Sequence, residues 1–414
     1  MKKTLFVFTL ALLLLIALVS CNNNNADDLT PNGTTNSETE PQETKETENN
    51  TLGVNPDDFK YFKLFKAPEG DYREIVYNYM LEMANYKWIA GENFSITWKD
   101  AGDFKVDLNF KMGQTYYGLP YSEQRASLDQ FSNFVKEGGT FTSPTYYYEE
   151  IIGNHCSSSM GLAYQQLIDF PYAGTLKSVG TRRGVIKLID GLEQPEGDTT
   201  KSWYSEDVIA LNGKEKIFEA YANMGRGDIL GKFVKTSGHS RMVSKVEIVK
   251  NAAGKIIPAR CKVYTIEQTN SFDKINKDRN STWWIDHAYT FQELLDTQFI
   301  PLTLEIFHNK EALKDAYIAF DDQNTPESIL KTVKGTVSSN FPLSYVRATV
   351  TDADGKIVGE IYRRKFDATY KVNLRQDYSA LNISKLDAGT YTFSLKAGIA
   401  RGGFEIEKFD FTIN

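Results

Sequence analysis

The sequence predicts an α+β fold in which helices precede an antiparallel sheet and an all-β region follows. Three observations support this prediction. Apolar side chains recur at helical spacing across residues 71–88. Two alternating stretches, 242–249 and 259–268, flank a turn at 251–254, which is the pattern of an antiparallel hairpin. From about residue 332 alternation replaces helical spacing, so an α+β domain followed by an all-β domain is expected.

Residues 1–58 are expected to lie outside the folded domains. The apolar run 5–19 follows a basic start and is too short for a membrane span, so 1–21 is predicted to be a signal peptide. Small residues before Cys21 resemble a bacterial lipobox, which implies lipid on its thiol; an ordinary secretory signal is the alternative. Residues 22–58 are poor in apolar side chains and are predicted to be a disordered tether. The expected location is extracytoplasmic, with a lipid anchor in a bacterial membrane.

Residues 59–331 are predicted to form the α+β domain. Helices are expected around residues 71–88, 128–135, 160–167 and 214–223. Strands are expected at 94–98, 104–110, 242–249 and 259–268, before a closing segment at 291–308.

Residues 332–414 are predicted to form an immunoglobulin-like β-sandwich. The stretches 346–350 and 391–397 alternate like half-buried strands, and 352–355 has the composition of a hairpin turn. Tyr391 resembles the tyrosine corner of Greek-key sandwiches, in which the hydroxyl bonds to the backbone. Since the region contains neither Cys nor His, no catalysis is expected there.

Composition excludes some classes of partner. The formal charge is −7 and no basic cluster stands out, so nucleic acid is not an expected partner. Only 4 histidines occur, and none has metal-ligand spacing to another His or Cys, so no metal site is predicted.

Cys156 stands where a helix is expected to begin. Serines follow it directly, and helical apolar spacing starts at Met160. A thiol in the first turn of a helix faces the positive end of the helix dipole, which lowers its pKa and favours the nucleophilic thiolate. Two alternatives stay open, namely a buried structural cysteine and a disulfide to Cys261, which would remove the nucleophile.

His239, at the entry to an alternating strand, is the predicted general base. His155 is an alternative base, although neighbours in the turn before a helix usually point apart; His155 and Ser157 are instead expected to line the cleft. Glu267 is the predicted group that orients the imidazole, because the second strand of the hairpin returns toward His239. Gln268 is the alternative, since adjacent strand residues point to opposite faces.

Taken together, these motifs resemble the papain-like NlpC/P60 and CHAP superfamily over roughly residues 70–300. Cys156 with its serines, 227–230, His239 and 266–268 follow the order seen there. The loop 117–122 is similar to a segment of that family whose tyrosine, here Tyr121, lies near the cleft. The usual Asp before the nucleophile is replaced by a histidine, and serines replace the aromatic or glycine that follows, which suggests a divergent branch.

The resemblance implies an amidase or endopeptidase that cleaves peptidoglycan peptides without metal or organic cofactors. Cys156 would attack the amide carbonyl, His239 would transfer the proton, and Glu267 would hold the imidazole. The membrane would be a second partner through the lipid on Cys21, and any protein partner stays open. One alternative is a non-catalytic surface lipoprotein with a binding or adhesion role, its site closed by a Cys156–Cys261 disulfide. Another is acyl transfer by the same Cys–His pair.

Overall fold

A computed structural model describes residues 52–99, 108–170, 184–195, 203–235, 237–364, 366 and 368–414. The predicted signal peptide, Cys21 and most of the predicted tether lie outside these residues. Within them, no helix is both long and apolar enough to cross a membrane. The fold is α+β with several antiparallel sheets, which confirms the predicted class at that level.

The described helices are α1 (Tyr72–Asn85), α2 (Leu128–Ser132), α3 (Cys156–Tyr164), α4 (Ser205–Ala222), α5 (Phe291–Asp296) and α6 (Pro326–Ile329). The strands before the central sheet are β1 (Tyr61–Phe65), β2 (Lys87–Ala90), β3 (Phe94–Ile96), β4 (Leu108–Phe110), β5 (Thr115–Tyr117) and β6 (Thr140–Phe141). The central sheet contains β7 (Ile186–Leu188), β8 (Ile229–Val234), β9 (Ser237–Glu247), β10 (Lys262–Gln268), β11 (Trp283–Thr290) and β12 (Phe299–Leu304). The remaining strands are β13 (Ala316–Phe320), β14 (Thr336–Ser339), β15 (Leu343–Thr351), β16 (Ile357–Arg364), β17 (Lys371–Asn373), β18 (Gly389–Ile399) and β19 (Gly402–Ile413).

The six-stranded central sheet has the order β11-β10-β9-β8-β12-β7, and all its pairs are antiparallel. The predicted hairpin forms β9 and β10, and its turn is closed by Asn251 N–H donating to the carbonyl of Lys255 at 2.9 Å. β9 begins at Ser237, five residues before the predicted start, because its first part pairs with β8. His239 therefore lies inside the sheet rather than just before it.

Local signals explain where the helices begin and end. Asp71 caps α1 by accepting from the backbone N–H of Arg73 at 2.8 Å. α4 begins well before the helix predicted at 214–223, and the predicted part follows a kink at Gly213, whose φ of 74° is left-handed. A glycine tolerates that conformation, so the sequence signal marked only the second half of the helix.

A second core is shared by two four-stranded antiparallel sheets, β1-β13-β14-β17 and β16-β15-β18-β19. Strand β13 belongs to it although it lies upstream of residue 332, and β1 pairs with β13 from the other end of the chain. Tyr391 donates its hydroxyl to the carbonyl of Asp387 at 3.0 Å, the bond expected of a tyrosine corner. The predicted turn at 352–355 also forms, with Gly355 N–H donating to the carbonyl of Asp352.

The two cores are joined by polar contacts around α2. The hydroxyl of Tyr345 donates to Asp129 at 2.5 Å and accepts from the amide of Asn133 at 3.0 Å. The amide of Gln130 donates to the hydroxyl of Tyr362 at 2.6 Å. The C-terminal sheets are therefore packed directly against the part of the chain that carries the candidate site.

Candidate active site

Three elements bring the predicted catalytic residues together. Cys156 is the first residue of α3, His239 lies on β9 and Glu267 lies on β10. Strands β9 and β10 are neighbours in the sheet, and α3 packs against both. The structure thus places all three residues on adjoining elements.

The start of α3 is fixed by its own polar side chains. His155 occupies the N-cap position with extended backbone, and Ser158 Oγ accepts from its N–H at 2.9 Å. Downstream, Met160, Ala163 and Tyr164 are buried in the first core. The cysteine is thereby held at the helix start, where unpaired N–H groups and the helix dipole favour a negative charge.

Glu267 is a buried carboxylate that accepts hydrogen bonds from three neighbouring side chains. Its side chain is 1% exposed, and Oε2 lies 2.5 Å from Nε2 of His239 and 3.0 Å from Nε of Arg241. Oε1 accepts from the hydroxyl of Tyr289 at 2.8 Å. Burial would raise the pKa of the Glu267 carboxyl, but the hydrogen bond from His239 and the charge of Arg241 lower it to about 2. The carboxylate is therefore ionised at any physiological pH.

His239 lies between this carboxylate and the thiol. Burial would lower its pKa, but the charge and the hydrogen bond of Cys156, together with Glu267, raise the pKa of His239 to about 9. Since Nε2 is engaged by Glu267, Nδ1 is the ring nitrogen left to contact the sulfur. The imidazole is therefore protonated at neutral pH and oriented by the carboxylate.

The thiol of Cys156 is acidic. Burial would raise its pKa, but the charge of His239 and hydrogen bonds from His155 and His239 outweigh burial and place the pKa of Cys156 well below its ordinary value. The resting site is thus a thiolate–imidazolium pair. Because the two groups titrate together, their pH dependence belongs to the pair.

His155 lies closer to the sulfur than the sequence suggested. We expected adjacent side chains to point apart, yet His155 lies near enough to the thiol to lower the pKa of Cys156. Its Nδ1 lies 3.3 Å from Oγ of Ser157, so the two predicted cleft residues contact each other. Glu267 bonds to the ring of His239, whereas no carboxylate among the described residues bonds to the ring of His155. His155 therefore supports the thiolate but lacks the carboxylate that would orient it as a base.

Tyr121 is held beside the start of α3 by the backbone. Asn154 N–H donates to the carbonyl of Pro120 at 3.0 Å, and Ser122 N–H donates to the carbonyl of Asn154 at 2.8 Å. Gly153 permits this approach, since a Cβ there would meet the backbone of Pro120. The rings of Tyr121 and Tyr148 stack with centroids 5.3 Å apart. Burial and the nearby Cys156 charge raise the pKa of Tyr121, so its hydroxyl stays a donor next to the sulfur.

Gln268 points away from the imidazole. Its amide donates to the carbonyl of Leu119 at 2.7 Å, where Trp283 Nε1 also donates at 3.0 Å. The two alternatives for the third residue are thereby separated: Glu267 contacts His239, and Gln268 fixes the loop that carries Tyr121.

Both described cysteines are free thiols. Cys261 is buried at the opposite end of β10 from Glu267, and its Sγ accepts from the N–H of Val249 at 3.1 Å. Glu267 is six positions after Cys261 along this extended segment, which corresponds to about 20 Å. The disulfide to Cys156 considered from sequence is not formed in this structure.

Arg241 is a site residue that the sequence reasoning missed. Its guanidinium lies 3.8 Å from the ring centroid of Tyr289 and 4.0 Å from that of Phe299 while it bonds Glu267. Its position two residues after His239, on the same face of a strand, was the available signal. Tyr289 was missed because β11 was not predicted.

Asp228 lies outside the group formed by Cys156, His239 and Glu267. Its buried carboxylate pairs with Arg73 at 2.8 Å and accepts from the hydroxyl of Thr303 at 2.6 Å. This network joins α1 to the sheet, so the residue is structural. Among the residues that the structure describes, no group of three or more His, Cys, Asp or Glu side chains is placed to hold a metal ion.

Comparison with known proteins adds little to this geometry. No family model matches the chain, and no curated protein matches it. Among solved structures, the tetra-tandem repeat in the extending region of a large adhesion protein matches at 16% identity over 45% of this chain and 41% of that chain, with a TM-score of 0.16. A TM-score this low carries no argument about fold or function.

Proposed function

We propose that this protein is a cysteine hydrolase that cleaves amide bonds in peptidoglycan peptides. One observation carries the proposal: Cys156, His239 and Glu267 form a continuous chain in which a buried carboxylate orients an imidazolium beside an acidic thiol. Such an arrangement is the working unit of Cys–His nucleophilic catalysis. The substrate class is proposed from the motifs that resemble the NlpC/P60 and CHAP superfamily.

In the proposed reaction the thiolate sulfur of Cys156 attacks the amide carbonyl carbon and forms a C–S bond. The negative charge that develops on the carbonyl oxygen faces the backbone N–H of Cys156 at the start of α3, with the Tyr121 hydroxyl as a second donor nearby. His239 gives its proton to the leaving nitrogen as the C–N bond breaks. Water then attacks the thioester, with His239 accepting its proton, and a carboxylic acid and the thiolate are released.

The remaining parts of the proposal concern fold and location. We infer a divergent papain-like domain around the central sheet and an immunoglobulin-like sandwich around the second core. The lipobox-like segment ending at Cys21 supports a lipid-anchored protein of the bacterial cell envelope, where peptidoglycan is within reach of a tethered enzyme. Acyl transfer would use the same first step and differ only in the acceptor admitted to the thioester.

Digestion of purified sacculi tests the proposal. The full chain in detergent is compared with Cys156→Ala and with Cys261→Ser, which removes the other described thiol as a matched control. Released fragments, identified by mass spectrometry, are expected from the wild type and Cys261→Ser but not from Cys156→Ala. Equal release by Cys156→Ala, or no release by any of the three, would overturn the proposed function.

A further inference from the structure

An open pocket of about 460 Å³ is lined in part by His239. The residues that matter for its chemistry are Lys232, His239, Arg241, Tyr289, Glu293 and Phe299. Small-molecule sites span roughly 300–1,000 Å³, so this pocket has room for an amino-acid-sized group.

The pocket is built on one row across the central sheet. Lys232 of β8 is paired with His239 of β9 on one side and with Phe299 of β12 on the other. Directly paired residues share a face of the sheet, with Cβ atoms about 4.5–5.5 Å apart. Lys232 is therefore an immediate neighbour of the His239 imidazole, and the Phe299 ring reaches the same imidazole with the ring centroids 6.1 Å apart.

One cation of the pocket, Lys232, is placed to receive an anion. Arg241 is paired with Glu267, and Glu293 accepts from the N–H and the hydroxyl of Thr290 at the start of α5. By contrast, Lys232 forms no ion pair with any residue that the structure describes. Arg241 is offset by Glu267 and the His239 imidazolium by the Cys156 thiolate, so Lys232 is the cation of this lining that is available to a ligand.

The reaction assigns the pocket to one half of the substrate. In the proposed hydrolysis the acyl half bonds to Cys156, whereas His239 protonates the leaving nitrogen. The leaving half therefore lies on the His239 side, where this pocket opens. A lysine ammonium there can bond a carboxylate that the leaving group carries.

We propose that this pocket is a leaving-group subsite that selects an amine bearing a carboxylate, an inference that rests on the proposed function. Lys232 is its specificity residue. Arg241, Tyr289 and Phe299 form its wall, so the selected group is compact and its aliphatic part lies against rings. Lys232 touches the leaving group and takes no part in the proton transfer.

Two synthetic peptides test this subsite. They contain the bond that sacculus digestion identifies and differ only at the leaving residue, which ends in a free carboxylate or in a carboxamide. For the wild type, kcat/KM for the carboxylate form is expected to exceed that for the amide by about tenfold, the size of one charge-assisted hydrogen bond. Lys232→Met should bring the ratio close to one. Lys232→Glu should favour the amide.

Failure of the subsite and failure of the proposed function look different. If wild type and Lys232→Met cleave both peptides with the same ratio, the subsite is wrong while the hydrolase stands. If the wild type digests sacculi but cleaves neither peptide, the subsite is overturned; if it digests no sacculi, both proposals are overturned. An unchanged alkylation rate of Cys156 in Lys232→Met shows that the variant keeps the folded catalytic group.

Discussion

Nε2 of His239 lies 2.5 Å from Oε2 of Glu267, across two neighbouring strands. In the register of β10 and β9, Ile266 pairs with Met242, so Arg241 lies opposite Glu267. His239 precedes Arg241 by two residues and therefore lies on the same face of β9. One buried carboxylate thus meets a guanidinium and an imidazole. The arrangement keeps the imidazole protonated and fixed toward the thiol.

Replacing Glu267 by Gln should impair catalysis without changing the shape of the site. The amide cannot balance the imidazolium charge, so the pKa of His239 falls and less thiolate–imidazolium pair is present. We expect kcat/KM to drop by roughly 10²–10³-fold, comparable to the loss of one preorganised polar group at an active site. Glu405→Gln, a change at a strand-surface carboxylate, is the control and should leave kcat/KM unchanged.

The same substitution should change acid stability. Glu267 has a pKa of about 2 in the folded chain and an ordinary value of about 4.3 when unfolded, so its contribution is full above pH 4.3 and is lost as pH falls toward 2. That contribution is about 3 kcal/mol by linkage. Urea unfolding from pH 7 to pH 3 should therefore show a gap between wild type and Glu267→Gln that narrows below pH 5. A constant gap would contradict the low pKa.

Activity should fall at alkaline pH. The pKa of His239 is raised to about 9, so the imidazolium is present below that pH and is lost as pH rises through it. We expect kcat/KM to be flat near neutrality and to decline above about pH 9. The stability that the imidazolium supplies to the fold is likewise full below the ordinary histidine pKa and is lost as pH rises through about 9. An alkaline limb near pH 7 would show that the ion pair is not the active form.

Arg241→Met should destabilise the fold more than it alters substrate binding. The change leaves the buried Glu267 without its guanidinium partner, and breaking a buried pair in this way costs about 3–5 kcal/mol. Thermal or urea unfolding measures the effect. Arg363→Met removes an exposed pair with Asp377 and is expected to cost about 0–1 kcal/mol; equal losses in the two variants would argue against the buried role.

Gln268→Leu should weaken the fold without affecting the imidazole, unlike a change at Glu267. The substitution leaves the carbonyl of Leu119 with one donor fewer, which costs about 1–3 kcal/mol of stability. Because Gln268 does not contact His239, the pH dependence of Cys156 alkylation should stay as in the wild type. A shift of that profile would mean that Gln268 acts on the imidazole.

The sequence signals that pointed to the candidate site are local. Serines after Cys156 mark a helix start, and alternation after His239 marks a strand whose hairpin partner carries Glu267. The side-chain directions that distinguish Glu267 from Gln268 depend on register, which includes a shift between Tyr264 and Thr265. Alternation alone does not reveal such a shift.

Other parts of the fold depend on contacts that the sequence does not display. β12 is buried along its whole length and contains Pro301, so it shows neither alternation nor a normal strand composition. β11 is interrupted at Asp286, whose φ is 56°. β1 and β13 pair across most of the chain, and neither five-residue strand signals its partner. Tyr289 became visible as a site residue only with β11 in place.

Alkylation of Cys156 at pH 6, with Cys261 as an internal reference, tests the thiolate–imidazolium pair most directly. Iodoacetamide is applied to the folded full chain, and peptide mass spectrometry gives the rate at each sulfur. Cys156 is expected to react rapidly, since its thiolate persists well below the ordinary thiol pKa, while buried Cys261 stays unmodified. His239→Asn should abolish this fast reaction at pH 6. A wild-type Cys156 that reacts no faster than Cys261, or a disulfide between the two, would contradict the catalytic assignment.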